Sequence, residues 1–194
     1  MKRASRRLWR LASGAAAFGL ILPVGEAPHA HSRVNELTLA GLRPGRDKIV
    51  EAQKSFRELT LDPDVKDGLV WGDICTHRQM RIELDAEKKI RTITLSYGYK
   101  PEIMTKCLPS VNSPETLKVV QTGHGLNLGD VCLRVNQIYG KPESVSPSVK
   151  GTEKLKLSMY SFDWAGADVP QVMETTCDPA KNQVVEIMLA ASSL

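Results

Sequence analysis

The chain has 194 residues, with 26 Lys or Arg against 22 Asp or Glu and a sequence pI near 8.9. Its first thirty residues hold 5 of those basic and 1 of those acidic residues, which leaves 21 of each behind them. A charge-balanced remainder lacks the excess of cations needed to track a phosphate backbone, so general nucleic-acid binding loses its main physical support, a local basic patch stays open, and no nucleic-acid partner is expected.

The basic residues at the start are Lys2, Arg3, Arg6, Arg7 and Arg10. An apolar stretch from Leu11 to Val24 follows, broken by Ser13 and shorter than the roughly 20 residues that span a bilayer. Ala30-His31-Ser32 then offers a small-x-small cleavage site. Residues 1–32 therefore read as a secretory signal peptide, and the mature chain is expected to be periplasmic or secreted. Ser5-Arg6-Arg7 before Leu8-Trp9 partly matches a twin-arginine signal, so both export routes stay open. A retained anchor is the competing reading, disfavoured by the short apolar stretch. Contact with a membrane surface stays open without it.

Two phrases in the mature chain resemble each other. Residues 41–56 read GLRPGRDKIVEAQKSF and residues 125–142 read GLNLGDVCLRVNQIYGKP. Each opens with Gly-Leu, reaches a second Gly four residues after the first, turns polar and runs helically to an aromatic residue. Each is followed downstream by an Asp-started polar turn and a closing apolar strand, from Asp85 into Ile90–Ser96 and from Asp178 into Val184–Ala190. Such self-similarity predicts two duplicated units. The first spans 33–100, a Pro-containing connector spans 101–122, and the second spans 123–194.

In the first unit, Asp47 to Leu59 has helical spacing with Ile49, Ala52 and Phe56 on one side. Strands are expected at Leu69 to Ile74, Gln79 to Leu84 and Ile90 to Tyr97. Met80, Ile82 and Leu84 alternate with polar residues there, as a sheet with one wet face requires. Between helix and strands, Asp62, Asp64, Asp67-Gly68 and Asp73 suggest a calcium loop. Its third ligand and its Gly come one position late and the closing residue is Asp rather than a bidentate Glu, so a solvated turn is preferred. The connector carries Pro101, Pro109 and Pro114. Ser113-Pro114-Glu115 has capping chemistry, but the β-branched content of Thr116 to Gln121 favours a strand.

The second unit is clearer. Gly123-His124-Gly125 with Gly129 has the look of a dinucleotide loop, yet no parallel βαβ unit follows and a tight turn is the simpler reading. Leu128, Val131, Val135 and Ile138 are spaced for a helix. Asp130 is placed to accept its first free amides, and Gly140 and Pro142 to end it. Lys154 to Trp164, Val172 to Thr176 and Val184 to Ala190 are strand candidates separated by polar turns, so neighbours should pair antiparallel. The expected fold class is α+β: two tandem repeats, each a helical layer on a three- to four-stranded antiparallel sheet.

All four cysteines, Cys75, Cys107, Cys132 and Cys177, lie behind the signal region. An even count in an exported chain points to two disulfides among three possible pairings. The duplication suggests Cys75–Cys107 and Cys132–Cys177. A zinc site is disfavoured, because there is no C-x-x-C and only His77 and His124 stand clear of the signal junction.

Gly125-Leu126-x-Leu128-Gly129-Asp130, then Val135, then Tyr139-Gly140-x-Pro142, resembles the helix motif of BamE-like (SmpA/OmlA) domains, which share a fold with the tandem-repeat β-lactamase inhibitory proteins. The resemblance covers about eighteen residues strongly and each half weakly. It implies helices on an antiparallel sheet and a protein that binds other proteins. The chain departs from the lipoprotein members in having no cysteine at the signal junction, and Ser55-Phe56-Arg57-Glu58 stands where the first repeat would need Tyr-Gly-x-Pro.

No catalytic set emerges: His77 and His124 have no nucleophile pattern beside them and no G-x-S-x-G occurs. No catalytic, cofactor-binding or metal residues and no cofactor are assigned. Tyr160, Phe162 and Trp164 alternate on one face of a strand whose other face carries Leu155, Leu157 and Met159. They are either core or, with Trp71, an aromatic strip for protein recognition. The expectation is a non-enzymatic module that binds another envelope or secreted protein through an open sheet face. The alternatives are an extracytoplasmic hydrolase with a site between the halves and a structural or lipid-contacting envelope protein.

Overall fold

Among the described residues, runs of alternating apolar residues between polar turns produce eight strands, and two short apolar stripes produce two helices. The computed structural model describes residues 34–56, 59–73, 75–98, 120–162 and 170–192. The expected signal peptide lies outside them. In chain order the elements are α1 (Ile49–Ser55), β1 (Thr60–Leu61), β2 (Gly68–Asp73), β3 (Arg78–Leu84) and β4 (Ile90–Tyr97). They continue with α2 (Cys132–Tyr139), β5 (Ser144–Lys150), β6 (Glu153–Phe162), β7 (Gln171–Asp178) and β8 (Gln183–Ala191).

All eight strands form one antiparallel sheet in the order β1-β2-β3-β4-β8-β7-β6-β5. This corrects the expected fold class. The described residues are mostly β, a single continuous open sheet with two short helices, and not two α+β repeats. The two hairpin series join where β4 pairs with β8, from Thr92↔Ala190 to Ser96↔Glu186.

Register divides the sheet into two unlike faces. One row across it runs Leu69, Ile82, Ile93, Leu189, Met173 and Tyr160. Leu69 is 5% exposed and the other five 0%, so this face is the core. The core is covered by Leu39, Ala40 and Leu42, by Ala52 of α1, by Leu126 and Leu128, and by Val135 and Tyr139 of α2.

The two Gly-Leu phrases build matching clasps onto the central strands. Gly45 N–H donates to Ile90 O at 2.7 Å and Ile90 N–H to Asp47 O at 2.8 Å. Gly129 N–H donates to Val184 O and Val184 N–H to Asp130 O, both at 2.8 Å. Gly45 and Gly129 hold φ of 78° and 90°, a region that side chains strain. The likeness seen in the sequence is thus one of local clasps on a shared sheet. Asp130 sits just before the helix cap, Val131, and its carboxylate accepts from Asn127 N–H and pairs with Arg134. Gly140 ends α2 with φ 74°.

Cys132, the first residue of α2, is disulfide-bonded to Cys177 of β7, with 5.9 Å between their Cα atoms. Cys75 is disulfide-bonded as well. Its expected partner Cys107 lies outside the described residues, as does most of the strand expected at Thr116 to Gln121. Among the described residues no helix is long and apolar enough to cross a membrane.

Replacing Cys132 and Cys177 together by serine should lower unfolding stability by about 2–4 kcal/mol in urea melts, since their bond closes a long loop in the unfolded chain. A change under about 0.5 kcal/mol would show that α2 needs no tether to β7.

Candidate functional site

Two features of the molecule stand out chemically. One is a carboxylate in the core. The other is the sheet face opposite the helices.

The carboxylate belongs to Glu36, which is 1% exposed. Its Oε1 accepts from the amides of Leu37, Thr38 and Gly123, each at 3.0 Å. Its Oε2 accepts from the His124 amide at 3.1 Å, faces His124 Nδ1 at 3.0 Å and accepts the Tyr139 hydroxyl at 2.6 Å. Tyr139 also lies 2.7 Å from the Thr122 hydroxyl. Tyr139 has one proton and gives it to Glu36, so Thr122 donates to Tyr139 while accepting from Leu126 N–H. Gly123 is required by space, because a Cβ there would lie 2.5 Å from Thr38 Oγ1 and 2.7 Å from Glu36 Oε1.

Burial opposes ionisation of Glu36 and is the largest single influence on it. The hydrogen bonds from Tyr139, Thr38 and His124 outweigh burial together and hold the carboxyl below the usual glutamate range. Tyr139 is pushed well above the ordinary tyrosine range, first by burial and then by the Glu36 charge. The cluster therefore fastens the segment before α1 to the loop before α2. His124 keeps 41% of its side chain exposed, oriented through Nδ1 by Glu36. His77 sits apart in the β2–β3 turn, exposed and with φ 55°.

The face opposite the core is built by register alone. One row runs Val70, Arg81, Thr94, Met188, Glu174, Met159 and Ser144. From Val70 to Met159 every residue in it is partly exposed, and Ser144 is fully so. The face also coils. Lys150 of β5 pairs with Glu186 of β8 at 3.3 Å, although β6 and β7 lie between them. A flat sheet would hold those strands about 14 Å apart, so the ion pair marks a strong coil toward this face. Leu155 and Thr176 are each 5% exposed beneath it. A groove of about 470 Å³ opens there, lined among others by Ser148, Val185 and Glu186.

Of the two readings of the aromatic residues, core or recognition strip, burial places Tyr160 and Phe162 in the core. Tyr160 is 0% and Phe162 1% exposed, packed with Tyr139 under α2 at ring separations of 5.8 and 6.1 Å. Trp71 is also on the core side, partly buried and 5.5 Å from Phe56. Trp164 lies outside the described residues. The aspartates of the supposed calcium loop are engaged with cations and backbone: Asp62 and Asp64 with Arg81, Asp67 with Lys88, and Asp73 with the Cys75 amide and Thr76. No group of three metal-ligating side chains occurs among the described residues.

No protein-family model matches the chain, and no curated relative does. Its structure is similar to that of a DUF4309 family protein (YjgB) from Bacillus subtilis, at 11% identity and a TM-score of 0.43. The match covers 81% of this chain and 88% of that one, and a TM-score this low carries no argument. Nothing found in these comparisons is BamE-like or inhibitor-like.

Glu36 has a folded-state pKa below its unfolded value, so its contribution to stability is complete above about pH 4.3 and is lost as pH falls through the folded pKa. Tyr139→Phe removes a donor to this buried charge and should cost about 1.5–3 kcal/mol. It should also move acid unfolding to higher pH, read by circular dichroism across an acid titration. An unmoved acid transition would show that the Tyr139 hydroxyl does not favour the ionised form.

Proposed function

We propose that this is an exported, non-enzymatic protein-binding module that engages another envelope or secreted protein through the coiled sheet face opposite its helices. The contrast between the faces carries this reading: five of six residues in a core row are 0% exposed, whereas the opposite row is partly open from Val70 to Met159. That face mixes Val70, Met159, Leu157 and Met188 with Arg81, Glu174 and Glu186, an apolar centre set among charges as interfaces have. Methionine adapts its shape to a partner at little cost.

The strand edges support use of the face. β1 has two residues, and the opposite edge strand β5 carries Pro147. A short edge and a proline both discourage addition of a further strand. The disulfides favour an oxidising compartment, periplasmic or external. The class of role implied by the BamE-like motif agrees with this reading.

His124, held by Glu36, is the one observation that favours the hydrolase alternative. The adjacent hydroxyls are buried and engaged, Tyr139 with Glu36 and Thr122 with Tyr139, which leaves no nucleophile beside His124 among the described residues. His124→Ala should therefore leave any esterase or amidase turnover of the purified protein unchanged. Loss of a genuine turnover in that variant would replace the binding reading with the catalytic one.

A photo-crosslinking residue at Thr94 or Met188 should capture a discrete protein adduct in the exporting cell, whereas one at Leu133, exposed on α2, should not. Equal capture from Leu133, or none from the sheet face, would count against the assignment. Met188→Arg should remove the adduct while changing stability by less than about 0.5 kcal/mol, as surface substitutions do.

A further inference from the structure

On the helix side of the sheet, away from the face assigned to the partner, a pocket of about 540 Å³ opens between α2 and strands β5–β7. Cys132, Val135 and Asn136 line it from the helix, and Lys156, Ser158 and Thr175 from the sheet. The Cys132–Cys177 disulfide ties helix to sheet at its wall, so the pocket is held open before any ligand arrives.

Thr175 is the unusual member. It is 1% exposed, and its hydroxyl meets no hydrogen-bonding partner among the described residues. Its neighbours along the row are Ile187 and Ser158. Valine has the same shape and would pack there without a stranded hydroxyl, which costs about 1–3 kcal/mol. Several other polar groups around the pocket can also donate. Ser158 is the cross-strand partner of Thr175, and Lys156 lies two residues along on the same face with no ion pair among the described residues. Asn136 accepts from Tyr160 through Oδ1 at 3.2 Å, which leaves its amide hydrogens. The acid at the rim, Glu143, is engaged by the amide and hydroxyl of Ser161 at 3.2 and 2.6 Å. Val135, Val145 and Pro142 supply apolar wall between these groups.

We propose that this pocket binds a small organic carboxylate with an apolar tail. The head meets Lys156, Ser158 and the buried Thr175 hydroxyl, and the tail lies against Val135 and Val145. Converging donors with a cation at the mouth select an anion, and the apolar wall selects its body.

Octanoate is the probe. Titrated into the intact disulfide-bonded chain, it should shift amide resonances within 132–136, 156–158 and 175–177, with a Kd on the order of 1 mM or tighter. Acetate and octanol, each offering half of the ligand, should bind more weakly. Lys156→Gln, a surface change that leaves the fold alone, should weaken octanoate roughly fivefold. Thr175→Val should weaken it roughly five- to tenfold. Unmoved resonances, shifts confined to the opposite face, or unchanged affinity in both variants would overturn the assignment. In the last case the Thr175 hydroxyl serves water alone. These outcomes leave the crosslinking result at Thr94 and Met188 unaffected, so the two readings fail separately.

Discussion

The pairing of β4 with β8 is the constraint on which the rest of the structure depends. It joins two hairpin series into one sheet, and only a joined sheet has a core row six strands wide. Both clasps close on these same strands, Gly45 and Asp47 on Ile90, and Gly129 and Asp130 on Val184. The covering layer is therefore positioned by the strands it covers. Ile93, Leu95, Ile187 and Leu189, all 0% exposed, sit where the halves meet, so removing water from the apolar surface between them and their cover is the main force holding the halves together.

A charge within this apolar layer is tolerated because it is fully answered. Glu36 has six donors on two oxygens, and four of them come from residues 87 to 103 positions away. Removing one partner of such a group leaves desolvated charge behind, which costs more than the bond contributed. The network therefore fixes one docking position for the segment from Glu36 to Leu42. An apolar residue at position 36 would bury well but select no register, whereas the carboxylate selects one by the geometry of its amides.

Local chemistry was legible in the sequence, and long-range pairing was not. Alternation placed β4 at Ile90 to Tyr97 as observed, and β3, β7 and β8 within one or two residues at each end. α1 is shorter than Asp47 to Leu59, ending at Ser55 because Phe56 turns extended. β5 was missed because Ser144, Ser146, Ser148 and Pro147 dominate it and its valines are exposed, the pattern of an edge that buries nothing. The joined sheet left no mark on periodicity, because Ser96↔Glu186 links residues ninety positions apart. Glu36 stands in no motif or periodic pattern of the sequence. Its importance lies in donors contributed from elsewhere, and Gly123 was the nearest signal for it. Tyr160 and Phe162 carried the opposite lesson, since alternation shows that aromatics share a face but not which face is wet.

The order of the strands also governs when the protein can fold. β4 acquires its second neighbour only when β8, the last of the described strands in chain order, is available. Leu39 and Leu42 belong to one core cluster with Leu126 and Tyr139. A chain emerging N-terminus first thus carries an unpaired β4 edge and uncovered leucines until β8 has appeared. Closing such distant contacts is slow, and partly formed sheets are prone to aggregate meanwhile. Until β8 arrives, the open edge of β4 is a template for pairing with strands other than its own partner.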